Sequence, residues 1–559
     1  MNNQITTVDY AIVGAGVSGL YTAWRLLKDS GTKPTVRVFE QGDRVGGRLL
    51  TWNPGGDEAG FRAELGGMRF FEKQQLVRGL IGQLDQLKGQ EVPFFADGHE
   101  GLIWRLRGLR MNAGDADTAT SRYRLRPGED IAPFTLLNRV IDKVLKQNGQ
   151  VTPSDWKGWD EVKPKLMYGE RNLWELGFWN LLANELSTEA YKYMVDAFGY
   201  YSLALNWNAA EAFQNVSLDF TQKPEYKTLS KGFDQIPKAL KAQVEQLGGA
   251  DCIQLNTTLV RFEADDTRPG GVLLVLERNG GTEQVRAKHL VLAMPRRSLE
   301  LLEPSPAFNL RINTKLRELV RSSRSYPAFK LFLLYENRWW DQKGFRGQPI
   351  RHGRSVSDLP IRQTYYMRPD ACEAGRGGSC PDYGLIMASY DDSVAVDFWQ
   401  GMEPTDLDRS IVKEALAELL KKHFRNFSGG RQQRREWRPP PVLHLAPIDM
   451  IDHAREQLAI LHGVKVEEVP QPTYGAFADW SLDPFGGGWH FWEPQANPKE
   501  VMPKIRRPLE GRNVHITGEA YSGAQGWVEG ALTTAEHVVR NLLKDKKPPK
   551  WLEGIYLGW

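Results

Sequence analysis

The sequence predicts a mixed α/β and α+β fold with three parts: a domain with a parallel sheet, a domain with a mixed sheet, and an inserted helical domain. Three observations support this prediction. The first fifty or so residues run strand, glycine turn, helix and strand, which is typical of a βαβ unit. Residues from about 131 to 230 carry apolar positions at helical spacing, whereas those from about 252 to 295 alternate as strands do. At 559 residues the chain is too long for one core, so two or three domains are expected.

The first βαβ unit carries a dinucleotide-binding pattern. Gly14, Gly16 and Gly19 stand in G-x-G-x-x-G order between an apolar run and an amphipathic helix. The first glycine permits the tight turn, the second lets the backbone approach a pyrophosphate, and the third lets helix and strand pack closely. Glu40 ends the second strand, where a carboxylate can accept hydrogen bonds from a ribose. The unit therefore predicts a Rossmann-like domain; the alternative is a glycine turn needed only for βα packing.

The bulk composition argues against several classes of function. The net charge of +3 is small for this length, so neither nucleic acid nor a membrane is needed as a partner. The sequence has no apolar run of the roughly 18 residues that a spanning helix needs. No basic and apolar leader precedes the first strand, so a cytoplasmic protein is expected. Cys252, Cys372 and Cys380 are too few and too scattered for a disulfide framework or a metal cluster, so no metal is expected.

Four separated groups of motifs carry a resemblance to a known family. They are the N-terminal unit with VGGRL; ELGGMRF; KGFDQIPKAL with LNTTLVRFE and VLAMP; and ITGEAYSGAQGWVEGA near the C-terminus. In this order they are similar to the flavin amine oxidase superfamily, and within it to the L-amino acid oxidases. The chain length and the GGGWHFWEP segment resemble bacterial oxidases of basic amino acids, with L-arginine favoured.

The resemblance implies FAD as cofactor and a chain divided into interleaved segments. The implied division is an FAD-binding domain at 1–72, 233–300 and 505–545, a substrate-binding domain at 73–130 and 301–504, a helical domain at 131–232, and a C-terminal tail at 546–559. Homo-oligomers are usual in the family, so a homo-oligomer is expected.

The resemblance also implies a set of residues that contact FAD. Val260 is the position whose backbone pairs with adenine in the family; the alternative is an ordinary strand valine. The helix after Trp527 would present its positive end to the flavin. The implied set is Gly14, Gly16, Gly19, Glu40, Gly47, Arg48, Gly67, Met68, Arg69, Val260, Gly518, Glu519, Trp527 and Val528.

Arg69 is the expected substrate anchor, because a planar guanidinium holds an α-carboxylate with two hydrogen bonds. The alternative is a structural ion pair with Glu64. Tyr390 is a second expected carboxylate contact, unless it is only a packed strand aromatic. Gly526 would accept from the substrate amino group, and Trp527 would wall the pocket and exclude water.

Lys330 is the third expected catalytic residue, with Arg69 and Trp527. It lies in the apolar run YPAFKLFL, and a buried lysine is costly unless it has a partner. The resemblance implies that it meets a water at the flavin and assists the reaction with O2 or proton movement. The alternative is a surface lysine with a buried stem.

The late segment PFGGGWHFWEP is the expected pocket for the substrate side chain. Trp489, Trp492 and Glu493 combine aromatic rings with an acid, which suits a cationic group. The alternative is that the tryptophans are core and Glu493 pairs with an arginine of the protein. His490 is given no role.

The resemblance implies oxidation of an L-amino acid to its imine, hydrolysis to the 2-oxo acid and ammonia, and reduction of O2 to hydrogen peroxide. Three alternatives stay open at this point. They are an amino acid 2-monooxygenase that forms an amide and CO2, a polyamine or monoamine oxidase, and a non-catalytic FAD-binding protein.

Overall fold

The computed structural model describes residues 5–54, 61–94, 101–113, 115–221, 225–367, 383–403 and 442–559. Its strands, in chain order, are β1 (Thr6–Val13), β2 (Val36–Phe39), β3 (Thr51–Trp52), β4 (Ala63–Glu64), β5 (Phe70–Phe71), β6 (Glu91–Pro93), β7 (Ile103–Leu106), β8 (Leu109–Asn112), β9 (Met167–Tyr168), β10 (Arg171–Asn172), β11 (Tyr226–Leu229), β12 (Ile253–Gln254), β13 (Thr257–Ala264), β14 (Val272–Arg278), β15 (Gly281–Leu292), β16 (Ser323–Tyr326), β17 (Ala328–Tyr335), β18 (Gly353–Ser357), β19 (Gln363–Met367), β20 (Gly384–Asp392), β21 (His444–Leu445), β22 (Tyr474–Asp479), β23 (Trp489–Trp492) and β24 (Val514–Ile516).

The α-helices of the same residues connect and cover these strands. In chain order they are α1 (Val17–Asp29), α2 (Gln75–Gln83), α3 (Pro133–Gln147), α4 (Trp156–Val162), α5 (Phe178–Glu185), α6 (Thr188–Phe198), α7 (Ala209–Val216), α8 (Gln235–Gly248), α9 (Arg296–Glu300), α10 (Thr314–Arg321), α11 (Val394–Gln400), α12 (Ile448–His462), α13 (Pro498–Arg506) and α14 (Val528–Leu542).

The first sheet contains the predicted βαβ unit. Its order is β12-β2-β1-β15-β14-β13, and β24 also pairs with β15. The strands around β1 are parallel, whereas β13, β14 and β15 form an antiparallel ribbon. The glycine turn directly follows the last residue of β1, which pairs in parallel with both of its neighbours. The turn therefore lies at the carboxyl edge of the parallel strands, where open α/β sheets bind ligands. These strands come from all three chain segments predicted for the FAD-binding domain.

The second sheet is larger and mixed. Its order is β21-β22-β17-β20-β19-β18-β7-β8, in which only the β18–β7 contact is parallel. All residues of β17 are buried, because helices and loops cover both of its faces. The sheet is the predicted mixed-sheet domain, and β17 carries Lys330 into its centre.

The helical segment contains α3 to α7, and its helix ends follow from capping residues. The Ser187 side chain accepts a hydrogen bond from the Ala190 N–H to begin α6, and Gly199 ends that helix at a φ of 77°. Asn208 begins α7 in the same way. A π-helical turn, Ser217–Thr221, continues α7.

Two parts of the chain differ from the predicted division. β11 lies within the stretch predicted as helical, yet it pairs with β5 and β6, because its short YKTL run favours strand pairing over another helical turn. The short hairpin β9–β10 also interrupts the helices. Helix α2 lies in the range predicted for the substrate domain, but its apolar face packs into the core of the first sheet.

The C-terminal tail packs against the protein itself. Trp551 lies against Trp24 of α1 with a ring-centroid distance of 6.4 Å, and Leu552 is buried in the same core. The Tyr556 hydroxyl donates to Asp160 of α4 at 2.9 Å. The tail therefore connects the first domain to the helical segment.

Within the described residues, no helix is long and apolar enough to cross a membrane. In the same residues, no three His, Cys, Asp or Glu side chains are grouped as a metal site would require. Cys252 is buried with a free thiol, and Cys372 and Cys380 lie outside the described residues.

The glycine turn after β1 gives a test of this packing. A Cβ added to Gly19 would lie 2.0 Å from the Gly14 carbonyl oxygen, whereas one added to Gly16 meets nothing within 4 Å. We expect Gly19→Ala to lower the free energy of unfolding by about 2–3 kcal/mol or more, because the backbone must move. Gly16→Ala, the matched control, should cost about 1 kcal/mol or less, the usual loss at a helix N-cap. Urea unfolding of the ligand-free variants measures both values, and equal losses would contradict the packing described.

Candidate active site

A cavity of about 900 Å³ extends from the glycine turn after β1 to the N-terminus of α14. Most of the residues predicted from the sequence line it: Gly14, Gly16, Glu40, Gly47, Arg48, Gly67, Met68, Arg69, Lys330, Tyr390, Trp489, Gly518, Glu519, Gly526, Trp527 and Val528. The other four predicted residues, Gly19, Val260, Trp492 and Glu493, do not line it.

One end of the cavity is built from the βαβ unit. Gly16 faces open space there, since its missing Cβ has no neighbour within 4 Å. The Glu40 carboxylate, at the end of β2, accepts hydrogen bonds from the N–H groups of Ala15 and Gly42 at 2.7 and 2.8 Å. Backbone that can approach a phosphate therefore lies beside a fixed carboxylate, as a bound dinucleotide requires.

Gly19 and Val260 lie behind this surface. Gly19 acts only through packing, because it allows the helix to approach the Gly14 carbonyl. The carbonyl of Val260 accepts a hydrogen bond from the Glu303 N–H at 2.9 Å, at a point where the β13–β14 pairing is irregular. The residues just before it, Thr257 to Leu259, line the cavity instead, which corrects the expectation for Val260.

A buried carboxylate, Glu519, holds the middle of the cavity wall together. It accepts from Arg48 Nη1 at 2.7 Å, from His490 Nδ1 at 2.5 Å and from the Gly526 N–H at 2.8 Å. Burial alone would raise its pKa, but the charge of Arg48 and these hydrogen bonds outweigh burial and lower the pKa to about 2. His490, which was given no role, therefore helps to position Glu519.

Lys330 projects from β17 into the cavity beside Tyr390, its partner in the neighbouring strand β20. Its Nζ donates to the carbonyls of Glu64 and Gly66 at 2.8 and 2.7 Å, and lies 4.5 Å from the centre of the Tyr390 ring. Burial lowers the pKa of Lys330 to about 7, although the nearby Glu64 carboxyl opposes that shift. Burial also raises the pKa of Glu64 to about 7. Lys330 is therefore buried rather than a surface lysine.

Arg69 comes directly before β5 and is 8% exposed. Its guanidinium carbon lies 4.0 Å from the centre of the Tyr226 ring and 5.5 Å from that of Phe94. Tyr226 is placed there by the pairing of β11 with β5. Within the described residues no carboxylate lies within ion-pair distance of Arg69, although the Asp219 charge acts on it from farther away. Glu64 instead accepts from the Thr51 hydroxyl at 2.8 Å. A buried guanidinium held by aromatic rings has its hydrogen bond donors available to a ligand.

Three aromatic rings form a wall near Arg69. Tyr200 meets Tyr390 and Trp489 edge to face, with centroid distances of 5.4 and 6.2 Å, and Tyr390 meets Trp489 at 6.4 Å. Tyr390 and Trp489 were predicted from the sequence, whereas Tyr200 comes from the helical segment, in which no residue could be singled out. Its position depends on Gly199, which ends α6 just before it.

The helical segment also contributes Asp219, which sequence reasoning missed. Asp219 lies in the π-helical turn after α7 and lines the cavity. Its carboxylate and its carbonyl both accept from the Tyr226 hydroxyl. Burial raises the pKa of Asp219, and the nearby Arg69 opposes the shift. No separate signal marked it in the sequence, because the same run also contains Glu211, Gln214 and Asn215.

The structure corrects the expectation for Glu493 and Trp492. Glu493 accepts from Arg324 Nε at 2.9 Å, because β16 and β23 pair and bring the two side chains together. Trp492 is fully buried, and its Nε1 donates to the Ser522 carbonyl at 3.1 Å. Of the late aromatic segment, Trp489 alone among the three predicted residues reaches the cavity.

The N-terminus of α14 closes the cavity beside Arg69. Trp527 is its N-cap residue and meets Phe71 edge to face at 5.2 Å. Glu529, in the first turn, accepts from the N–H groups of Leu76 and Val77 at 2.9 Å each. This carboxylate joins the starts of α2 and α14, and burial raises its pKa to about 7.

The residues present fit FAD. The open space at Gly16, the fixed Glu40 carboxylate and the N-terminus of α1 suit the adenosine and pyrophosphate. Gly67, Lys330 and the N-terminus of α14 line the other part of the same cavity, where the isoalloxazine would lie.

Comparisons with known proteins agree with this geometry. Aplysianin-A from Aplysia kurodai is 25% identical over 572 residues, which cover 97% of this chain and 92% of that protein. L-amino-acid oxidase from Bungarus fasciatus is 23% identical over 96% of this chain and 87% of its own length. A putrescine oxidase structure bound to putrescine has a TM-score of 0.63 at 17% identity, covering 97% of this chain and all of that one. That likeness shows a shared fold.

The family model for flavin-containing amine oxidoreductases matches residues 17–446 and 440–543, which together contain the second sheet, every strand of the first sheet except β1, the helical segment and nearly all of the cavity. The fold, the cofactor and the enzyme class inferred from the sequence are thereby confirmed. The chain belongs to the flavin-containing amine oxidoreductase family and is an FAD-dependent oxidoreductase.

Proposed function

We propose that this enzyme oxidises an L-α-amino acid. The amino acid, O2 and water would give the 2-oxo acid, ammonia and hydrogen peroxide. The observation that carries the proposal is Arg69, a buried cation in the cavity wall that forms no direct ion pair with a carboxylate of the described residues. Burying an unpaired charge is costly, so a ligand that supplies the missing carboxylate offsets that cost.

The surrounding residues would orient the amino acid. Arg69 would hold the α-carboxylate through two parallel hydrogen bonds, with Tyr390 beside it. The Gly526 carbonyl would accept from the α-amino group, in a turn held at a φ of 81° by the hydrogen bond to Glu519. Fixing both polar groups of the substrate fixes the direction of its α-hydrogen, which is the main contribution a protein makes to this chemistry.

When bound, FAD supplies the two-electron acceptor, and O2 takes up those electrons. The chain's own residues prepare the site for that chemistry. Trp527 and the aromatic wall exclude water from the reacting carbon. Lys330 has a pKa of about 7, so it changes protonation state within the working range of an enzyme and can supply a proton for the reduction of O2.

The main alternative is an oxidase of amines without a carboxylate. It is favoured by fold neighbours such as the putrescine oxidase and a cyclohexylamine oxidase from Brevibacterium oxydans, the latter with a TM-score of 0.60 at 18% identity. Neither of those named substrates has a carboxylate, and both would leave Arg69 buried and unpaired. The L-amino-acid oxidase relatives support the amino acid reading.

Replacement of Arg69 tests the carboxylate anchor. We expect Arg69→Ala to lower kcat/KM for amino acids roughly 30- to 4000-fold, because the substrate carboxylate loses its partner. This range corresponds to a loss of about 2–5 kcal/mol of binding free energy. Arg69→Lys should recover only part of this loss, since a lysine keeps the charge but cannot form the two-pronged contact. Arg324→Ala is the matched control, because that guanidinium lies outside the cavity. Unchanged kinetics in Arg69→Ala, or faster oxidation of polyamines than of amino acids by the wild type, would support the amine oxidase.

Product analysis separates the oxidase from a monooxygenase of the same fold. The proposed reaction forms one hydrogen peroxide and one ammonia for each amino acid consumed. Formation of the amide and CO2 with little peroxide would show that the monooxygenase alternative is right. The measurement is peroxide, ammonia and organic products from one reaction with purified enzyme.

Replacement of Lys330 tests its part in the reaction with O2. Because burial lowers its pKa, the amine is protonated below about pH 7 and neutral above it. We expect reoxidation of the reduced wild-type enzyme to slow as pH rises through about 7. Lys330→Met should slow reoxidation about 100-fold and lose this pH step, with Glu64 left in place. Stopped-flow mixing with O2 measures the rates, and an unchanged step in Lys330→Met would assign it to another group.

A further inference from the structure

We propose that Asp219 recognises a cationic side chain, so that the preferred substrate is a dibasic L-amino acid. This inference rests on the amino acid oxidation proposed above and names the substrate class for the same cavity. Asp219 also takes the role expected of Glu493 from the sequence, because Glu493 pairs with Arg324 outside the cavity.

Asp219 differs from the other carboxylates that line the cavity. Each of the others is held by backbone N–H groups, by a cation or by several polar side chains. They are Glu40 with two N–H groups, Glu519 with Arg48, Asp483 with Arg297, and Asp479 with Ser481 and Gln400. Among the described residues, the Asp219 carboxylate receives a hydrogen bond from Tyr226 only, and no cation lies within ion-pair distance of it. The charges of Arg69 and Arg354 act on it from farther away.

Burial makes it costly for the Asp219 carboxylate to have so few hydrogen-bond partners. The residue is 8% exposed and its carboxylate contacts a single phenol hydroxyl. A buried carboxylate has room for about four hydrogen bonds, so most of its acceptor positions are unused. A cationic ligand in the cavity would supply both the missing donors and the missing charge.

Tyr226 keeps the two opposite charges of the site apart. Its ring face carries the Arg69 guanidinium at 4.0 Å, while its hydroxyl donates to Asp219. Arg69 and Asp219 thus contact the same phenol from two directions, and they interact electrostatically without forming a direct ion pair. A zwitterion with a cationic side chain matches this arrangement, because its carboxylate can meet Arg69 while its distal cation meets Asp219.

The charge balance of the cavity favours the same substrate. A neutral amino acid would pair Arg69 and leave Asp219 without a direct cation partner. An acidic amino acid would add a second negative charge close to Asp219. A dibasic amino acid pairs both groups, and the rings of Tyr200, Tyr390 and Trp489 add aromatic faces to the same cavity.

The test compares arginine with citrulline, its neutral isostere, in the holoenzyme. The wild type should oxidise arginine with the higher kcat/KM. We expect Asp219→Asn to reduce kcat/KM for arginine roughly 100-fold or more, because the guanidinium of the substrate loses its buried carboxylate partner. The value for citrulline should change little. Glu493→Gln should leave the arginine-to-citrulline ratio unchanged.

Other outcomes would overturn the inference in recognisable ways. Equal losses for both substrates in Asp219→Asn would show that Asp219 only supports Tyr226 and Arg69. A wild type that prefers citrulline or leucine would exclude the dibasic class while leaving amino acid oxidation intact. A wild type whose flavin no amino acid reduces would exclude the proposed function itself. The flavin absorbance spectrum and the citrulline rate of Asp219→Asn show whether that variant has folded.

Discussion

The buried guanidinium of Arg69 is the constraint on which the rest of the site depends. A charge with 8% exposure and no direct ion pair among the described residues is tolerated because aromatic faces stabilise it and the Asp219 carboxylate lies nearby. That arrangement requires Tyr226 to stand directly beside it, and the pairing of β11 with β5 provides this. This strand, at the end of the range predicted as helical, therefore places the Tyr226 ring at the site.

The cavity combines two kinds of buried ionisable group with different effects. Glu519 is fully compensated by Arg48, His490 and a backbone N–H, so it stays charged and fixes the turn at Gly526. The direct hydrogen-bond acceptors of the Lys330 amine are two neutral carbonyls, and burial lowers its pKa to about 7 against the opposing charge of Glu64. The first gives rigid geometry, and the second gives a proton that can move at neutral pH.

Sequence reasoning predicted the features that depend on local pattern. The glycine turn, Glu40 and the motif around Arg69 are short, contiguous signals, and the structure brings them to one cavity. The prediction that Glu493 lines the cavity was wrong, because its contact with Arg324 depends on the pairing of strands about 170 residues apart. Asp219 was missed because no residue of the helical segment stood out by spacing, and it lies in a π-helical turn whose irregular spacing gives no periodic signal. Neither long-range register nor a helix irregularity can be read from the spacing of apolar residues.

The helical segment that carries Asp219 and Tyr200 is fixed to both domains, which bears on how the cavity binds. Asp392, two residues after Tyr390 in β20, accepts from the N–H groups of Tyr201 and Ser202 at 2.7 and 3.0 Å. On the other side, Gln214 of α7 donates to the Gly523 carbonyl at 2.8 Å, in the loop before α14. These contacts hold the wall in place before a substrate arrives. Little ordering cost then remains for binding, so the unpaired charges of the cavity can act on selectivity rather than on closure of the site.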